Sequence, residues 1–153
     1  MLLSNHERTR SINGTRSLKV FISHAHQDAA LAARVAQALK VNGLEAWDAD
    51  TNLLPGDNWA AEVARALEES EAMVVLLTPD AIDSGWVLRE IEYALGAKNY
   101  SNRLIPVVVG DRKRLPDTGI PWIVRRMPWI ELHEGQGGLP EVKPIADAIR
   151  SAA

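Results

Sequence analysis

Residues 72–77 read Ala72-Met73-Val74-Val75-Leu76-Leu77, the most continuous apolar run in the chain. A segment that is apolar throughout, instead of at every second position, reads as a strand buried on both faces near the middle of a parallel sheet. Upstream of it, Trp59, Val63, Ala66 and Leu67 recur at helical spacing, with Asp57 or Asn58 placed to cap the helix. Residues 48–58 hold Asp, Thr, Asn, Pro and Gly and read as a long exposed loop. Residues 44–47 read as a second strand. Before it, Leu31, Val35, Ala38 and Leu39 mark a helix over 28–41 that Asp28 can cap and Gly43 stops. The first strand is 18–22. Downstream, 78–85 reads as a loop. A helix over 86–97 turns Val87, Ile91 and Leu95 inward, and 104–109 is a fourth strand. Residues 111–127 are irregular, with room for one helical turn; 129–132 is a fifth strand and 140–151 a closing helix.

Strands alternating with helices imply right-handed crossovers and a parallel sheet covered on both faces. The predicted class is α/β: a flavodoxin-like three-layer sandwich with a five-stranded sheet in the order 2-1-3-4-5. In that order a cleft opens where strand 1 neighbours strand 3, outside their carboxyl ends. The loops that line it follow Ile22 and Leu77.

The 153 residues suit one domain over 18–153, preceded by a polar tail over 1–17. Apolar residues are 46% and charged residues 24%, the balance of a globular protein. With no cysteine, disulfides, thiolate nucleophiles and cysteine-held zinc are excluded. The formal net charge is -3; without the first seventeen residues 14 basic and 19 acidic groups remain, a poor surface for nucleic acid. The short basic patches Arg112-Lys113-Arg114 and Arg125-Arg126 read as solvated faces. No apolar run approaches the ~18–20 residues of a membrane span, and the start lacks the apolar stretch of a signal peptide, so a cytoplasmic location is expected.

The cleft loops read Phe21-Ile22-Ser23-His24-Ala25-His26-Gln27-Asp28 and Asp83-Ser84-Gly85-Trp86-Val87-Leu88-Arg89-Glu90. Trp86 and Glu90 are four apart on the predicted helix and share one of its faces. That face is offset from the Val87/Ile91/Leu95 stripe, which sets Glu90 at the edge of the core beside the cleft. An indole can stack on a planar cation while a carboxylate accepts hydrogen bonds from a sugar. By spacing alone, an interface residue beside a solvated charge is the commoner meaning of such a pair. His24 and His26 stand two apart with Asp28 near, which is neither helical spacing nor a fuller ligand set, so no metal centre is expected. No Gly-x-Ser-x-Gly elbow, Gly-x-Gly-x-x-Gly or Gly-x-x-x-x-Gly-Lys loop occurs. A phospho-receiver of the same fold would need an acidic pair where Ser23-His24 stands.

Four segments in order resemble the signatures of the Toll/interleukin-1 receptor (TIR) domain family over about 18–150. They are Phe21-Ile22-Ser23-His24, Leu53-Leu54-Pro55-Gly56-Asp57-Asn58-Trp59, Ser84-Gly85-Trp86 with Glu90 four residues on, and Leu104-Ile105-Pro106-Val107. The resemblance implies one of two functions. Many members cleave NAD+ at the nicotinamide–ribose bond, using the glutamate that matches Glu90; others act only as adaptors that bind TIR domains. In the enzymatic branch Trp86, His24, Asp48 and Ser84 match positions at the substrate. The His24 position is often aromatic there, and an arginine present in some active members is absent after it. The loop Leu53-Leu54-Pro55-Gly56 matches one that packs on a neighbouring TIR domain, so self-assembly is implied, with a separate sensor or effector as a further partner. NAD+ enters as substrate, and no cofactor is implied.

Overall fold

The structure, a computed structural model, describes residues 17–100, 103–133 and 139–152. The tail expected over 1–17 lies almost wholly outside the described residues. The strands are β1 (Lys19–Ser23), β2 (Glu45–Trp47), β3 (Ala72–Leu77), β4 (Leu104–Val109) and β5 (Ile130–Leu132), all parallel, in the order β2-β1-β3-β4-β5. This is the order expected from the alternation of apolar runs. β3 is buried at all six positions, as its composition requires, because strands flank it on both edges and helices cover both faces. Its register on β1 pairs Ile22 with Val74 and Ser23 with Val75, so the two strands end side by side at the cleft.

Among the described residues, seven α-helices cover the sheet: α1 (Ala29–Val41), α2 (Ala49–Asn52), α3 (Trp59–Glu69), α4 (Pro79–Ile82), α5 (Gly85–Gly96), α6 (Trp122–Arg126) and α7 (Lys143–Ser151). Odd and even strand positions face opposite layers. Val20, Ile22, Val74 and Leu76 meet α1 and α7, whereas Phe21, Met73, Val75 and Leu77 meet α3, α4, α5 and α6. Ser23 continues the Phe21 side and so points toward α5.

Several elements differ from expectation for local reasons. The stretch 48–58 is not all loop: Asp48 caps α2 by accepting the Thr51 N–H at 3.0 Å. Within 78–85, Thr78 caps α4 through the Ala81 N–H at 3.0 Å, and Pro79 starts the turn. Residues 111–127 hold a short 3-10 turn over 112–114 as well as α6. α7 starts at Lys143 instead of 140, with Pro144 in its first turn. In α5 the inward stripe is Val87, Glu90, Ile91 and Ala94, while Leu95 is 38% exposed. The stripe follows the 3.6-residue period more closely through Ala94 than through Leu95. That rotation carries Glu90 from the expected edge into the core.

Candidate active site

β1 ends on Ser23, and its side chain faces the second turn of α5. Ser84 caps that helix by accepting the Val87 N–H at 3.3 Å, which fixes where Trp86 and Glu90 project. Ser23 Oγ donates to Glu90 Oε1 at 2.6 Å across 67 residues of sequence. Trp86 also donates to the Glu90 carboxylate from the same helix. Glu90 is 5% exposed, and burial raises its carboxyl from an ordinary value to about 7, although the hydrogen bonds from Ser23 and Trp86 oppose the rise. A carboxylate poised near neutrality beside a cleft is the kind of group that functional sites use.

Above it opens a cavity of about 510 Å³ lined by aromatic, histidine and carboxylate side chains. Glu90, Trp86, Ser84 and His24 line it together, brought from β1 and α5. Trp59, from the first turn of α3, lies against Trp86 with ring centroids 4.3 Å apart and planes at 43°. The two indoles are 44% and 36% exposed, so Trp86 is not a core tryptophan and Trp59 is not part of the buried α3 stripe. Val63 and Ala66 form that stripe instead.

Asp48 does not line the cavity. It is fully buried beneath it, with Oδ1 occupied by the α2 cap and Oδ2 without a hydrogen-bond partner. Its neighbour Asp50 lines the cavity and accepts from both histidines: His24 Nε2 at 2.7 Å and His26 Nδ1 at 3.0 Å. Leu53 also lines the cavity and packs on the core, while Leu54 is 67% exposed and Pro55 and Gly56 lie at the surface. Of the apolar loop residues, then, Leu53 turns inward.

Ser23, Asp50 and Trp59 were not expected as site residues, and His26 was weighed only as a metal ligand. Ser23 had a usable signal, since it stands two residues beyond Phe21 and strand alternation sends both to one layer. Asp50 and Trp59 had none, because only the tertiary fold sets α2 and α3 beside α5. A larger cavity of about 840 Å³ opens at the opposite end of the sheet, beside the amino ends of β4 and β5. Among the described residues, Lys98 and Tyr100 are the only ionisable side chains lining it, and none of the carboxylates or imidazoles gathered around Glu90 has a counterpart there.

The TIR domain family model matches residues 20–144, most of the chain, and the chain belongs to that family. Over 97 residues it is 35% identical to the NAD(+) hydrolase ApTIR of Actinoplanes sp.; the match takes in 58% of this chain but only 13% of that protein's length. Among solved structures, the TIR domain of the Toll-related receptor TRR-2 from Hydra magnipapillata superposes with a TM-score of 0.58 at 18% identity, covering 73% of this chain and 82% of that one. A TIR-STING receptor from C. gigas gives 0.63 at 22% identity, over 87% of this chain and 38% of that one. Likeness at such identities shows the shared fold. Among the described residues, no helix is long and apolar enough to cross a membrane.

Proposed function

We propose that this TIR domain cleaves NAD+ at the nicotinamide–ribose bond, with Glu90 as the catalytic carboxylate. The observation that carries this reading is a buried carboxylate, Glu90, lifted to about 7 and lining a cavity that two indoles also line. The pyridinium ring of NAD+ is a planar cation that an indole face attracts. As the C1′–N bond breaks, its electron pair goes to the ring nitrogen and nicotinamide leaves neutral, so no acid has to protonate the leaving group. What remains is positive charge on the ribose, which a fixed carboxylate stabilises. Water then adds to C1′ and releases a proton, giving ADP-ribose; capture by an oxygen or nitrogen of the substrate itself gives a cyclic product instead. The sequence match to an NAD(+) hydrolase supports this reading. Self-assembly through the loop around Leu54 activates the site, in a bacterial immune or stress response that a separate sensor protein triggers.

The other reading is a non-catalytic scaffold that binds TIR domains. Exposed Leu54 suits both readings, whereas a scaffold has no use for a carboxylate buried under an open cavity. Purified protein incubated with NAD+ at high protein concentration should release nicotinamide. Glu90→Gln should lower that rate by about 10²-fold or more, the scale of losing one electrostatic stabiliser. Equal rates in a folded Glu90→Gln variant would sink the assignment.

A further inference from the structure

NAD+ carries a diphosphate with two negative charges, yet among the described residues neither lysine nor arginine lines the Glu90 cavity. The cavity is itself acidic, with Glu90 at one side and Asp50 at the other. A dinucleotide therefore needs positive charge that these side chains do not supply, since both histidines are already engaged with Asp50. Beside this cavity, ligand-capable atoms of His24, Asp48 and Asp50 all lie within 4.8 Å of one another. Asp48 supplies the second, independent sign: a fully buried carboxylate whose Oδ2 has no hydrogen-bond partner. An unpaired carboxylate oxygen out of contact with water is costly, and a cation relieves that cost.

We propose that His24, Asp48 and Asp50 form a divalent-cation site at the edge of the Glu90 cavity, whose ion receives the diphosphate of the dinucleotide. The inference rests on the NAD+-cleaving reading for the identity of the anion, but not for the site itself. One imidazole and two carboxylates leave positions open on the ion for phosphate oxygens and water, the usual way such an ion is shared between protein and nucleotide. His24 Nδ1 faces the Ile22 carbonyl at 3.4 Å, so a proton held there leaves the Nε2 lone pair for the ion. Sequence spacing hid the set, because Asp50 stands 26 residues from His24 and only the β1–β2 pairing unites them.

The test uses metal-stripped full-length chain and Mn2+ as probe, followed by the electron paramagnetic resonance of the free ion. One Mn2+ should bind per chain without any nucleotide. Asp48→Asn, which keeps the helix cap, and Asp50→Asn should each weaken binding by about tenfold or more. Asp57→Asn should leave it unchanged. Mn2+ should also tighten the calorimetric binding of ADP-ribose by about tenfold, and leave that of adenosine, which has no diphosphate, unaltered. Absence of a stoichiometric site, or binding as tight as the parent's in both variants, overturns the proposal. Binding of Mn2+ with no change toward ADP-ribose overturns the diphosphate role. If both bindings hold and nicotinamide is still never released, the cation site stands and the hydrolase reading falls.

Discussion

Burial lifts the Glu90 carboxyl to about 7, so at neutral pH a proton occupies it for about half of the time in the free protein. Only the ionised form can stabilise positive charge on the ribose, and kcat/KM should therefore rise between pH 5 and 8 with a midpoint near 7. In the complex the pyridinium favours the carboxylate, so the midpoint of kcat should fall below that of kcat/KM. A kcat/KM profile flat across this range would exclude Glu90 as the group that must ionise. Stability follows the same titration with the opposite benefit. The folded pKa is raised above the unfolded value, so the contribution is complete below about 4.5 and is lost as pH rises through about 7. The loss is on the order of 3 kcal/mol. Glu90→Gln carries no charge to bury and keeps a partner for Ser23. It should melt several degrees above the parent at pH 8, with the gap closing toward pH 4.5. Thermal melts across this range check the sign: a Gln variant less stable than the parent at pH 8 would mean that the buried charge is better paired than its surroundings indicate. Placing Glu90 at a helix edge, as spacing alone does, implies no such effect; the residue's position in the buried stripe of α5 produces it.

At the level of elements, the loop between α2 and α3 is pinned at both ends and open at its tip. Leu53 packs inward, the Leu54 N–H donates to Asp57 Oδ2 at 2.8 Å, and Asn58 caps α3 through the Ala61 N–H at 3.2 Å. Gly56 takes a φ of +91°, a conformation that glycine allows, and leaves the turn tight with Leu54 in water. A fixed turn that presents leucine loses little entropy on docking. Leu54→Asp should reduce self-association and nicotinamide release together, with an unchanged circular dichroism spectrum and melting temperature. Light scattering beside the NAD+ assay reads both; normal cleavage by a variant that stays monomeric at all concentrations would uncouple this loop from activity. Much of the element pattern was legible in the sequence: strand alternation, the fully apolar β3 and the cap at Asn58 are all local. Short helices were not. α2 and α4 are single turns held by one cap each, too brief to show a period, and α6 sits in a segment fixed by tertiary packing. There, a side-chain carbon on Gly119 would come within 2.8 Å of Ile82, so this segment lies hard against α4.

Across the whole molecule, the sheet order places the cleft correctly because it follows from topology. What fills the cleft depends on contacts that no local pattern encodes. Glu90 and Trp86 were readable as a pair on one helix, and His24 as a residue after a strand. Their partners Ser23, Asp50 and Trp59 join them only once β1, α2 and α3 are docked. The Trp59–Trp86 contact bridges α3 and α5 in this way, and it joins two of the five tryptophans of the chain. Indole chromophores this close share their electronic transitions, so the mouth of the cavity carries its own optical reporter. The folded protein should show an exciton couplet in its circular dichroism that Trp59→Phe abolishes. Trp122→Phe, at a side chain 73% exposed on α6, should leave the couplet intact. A planar ring that enters between the indoles, or turns one of them, should collapse the couplet on binding and restore it on release, so occupancy can be followed without a label on either partner.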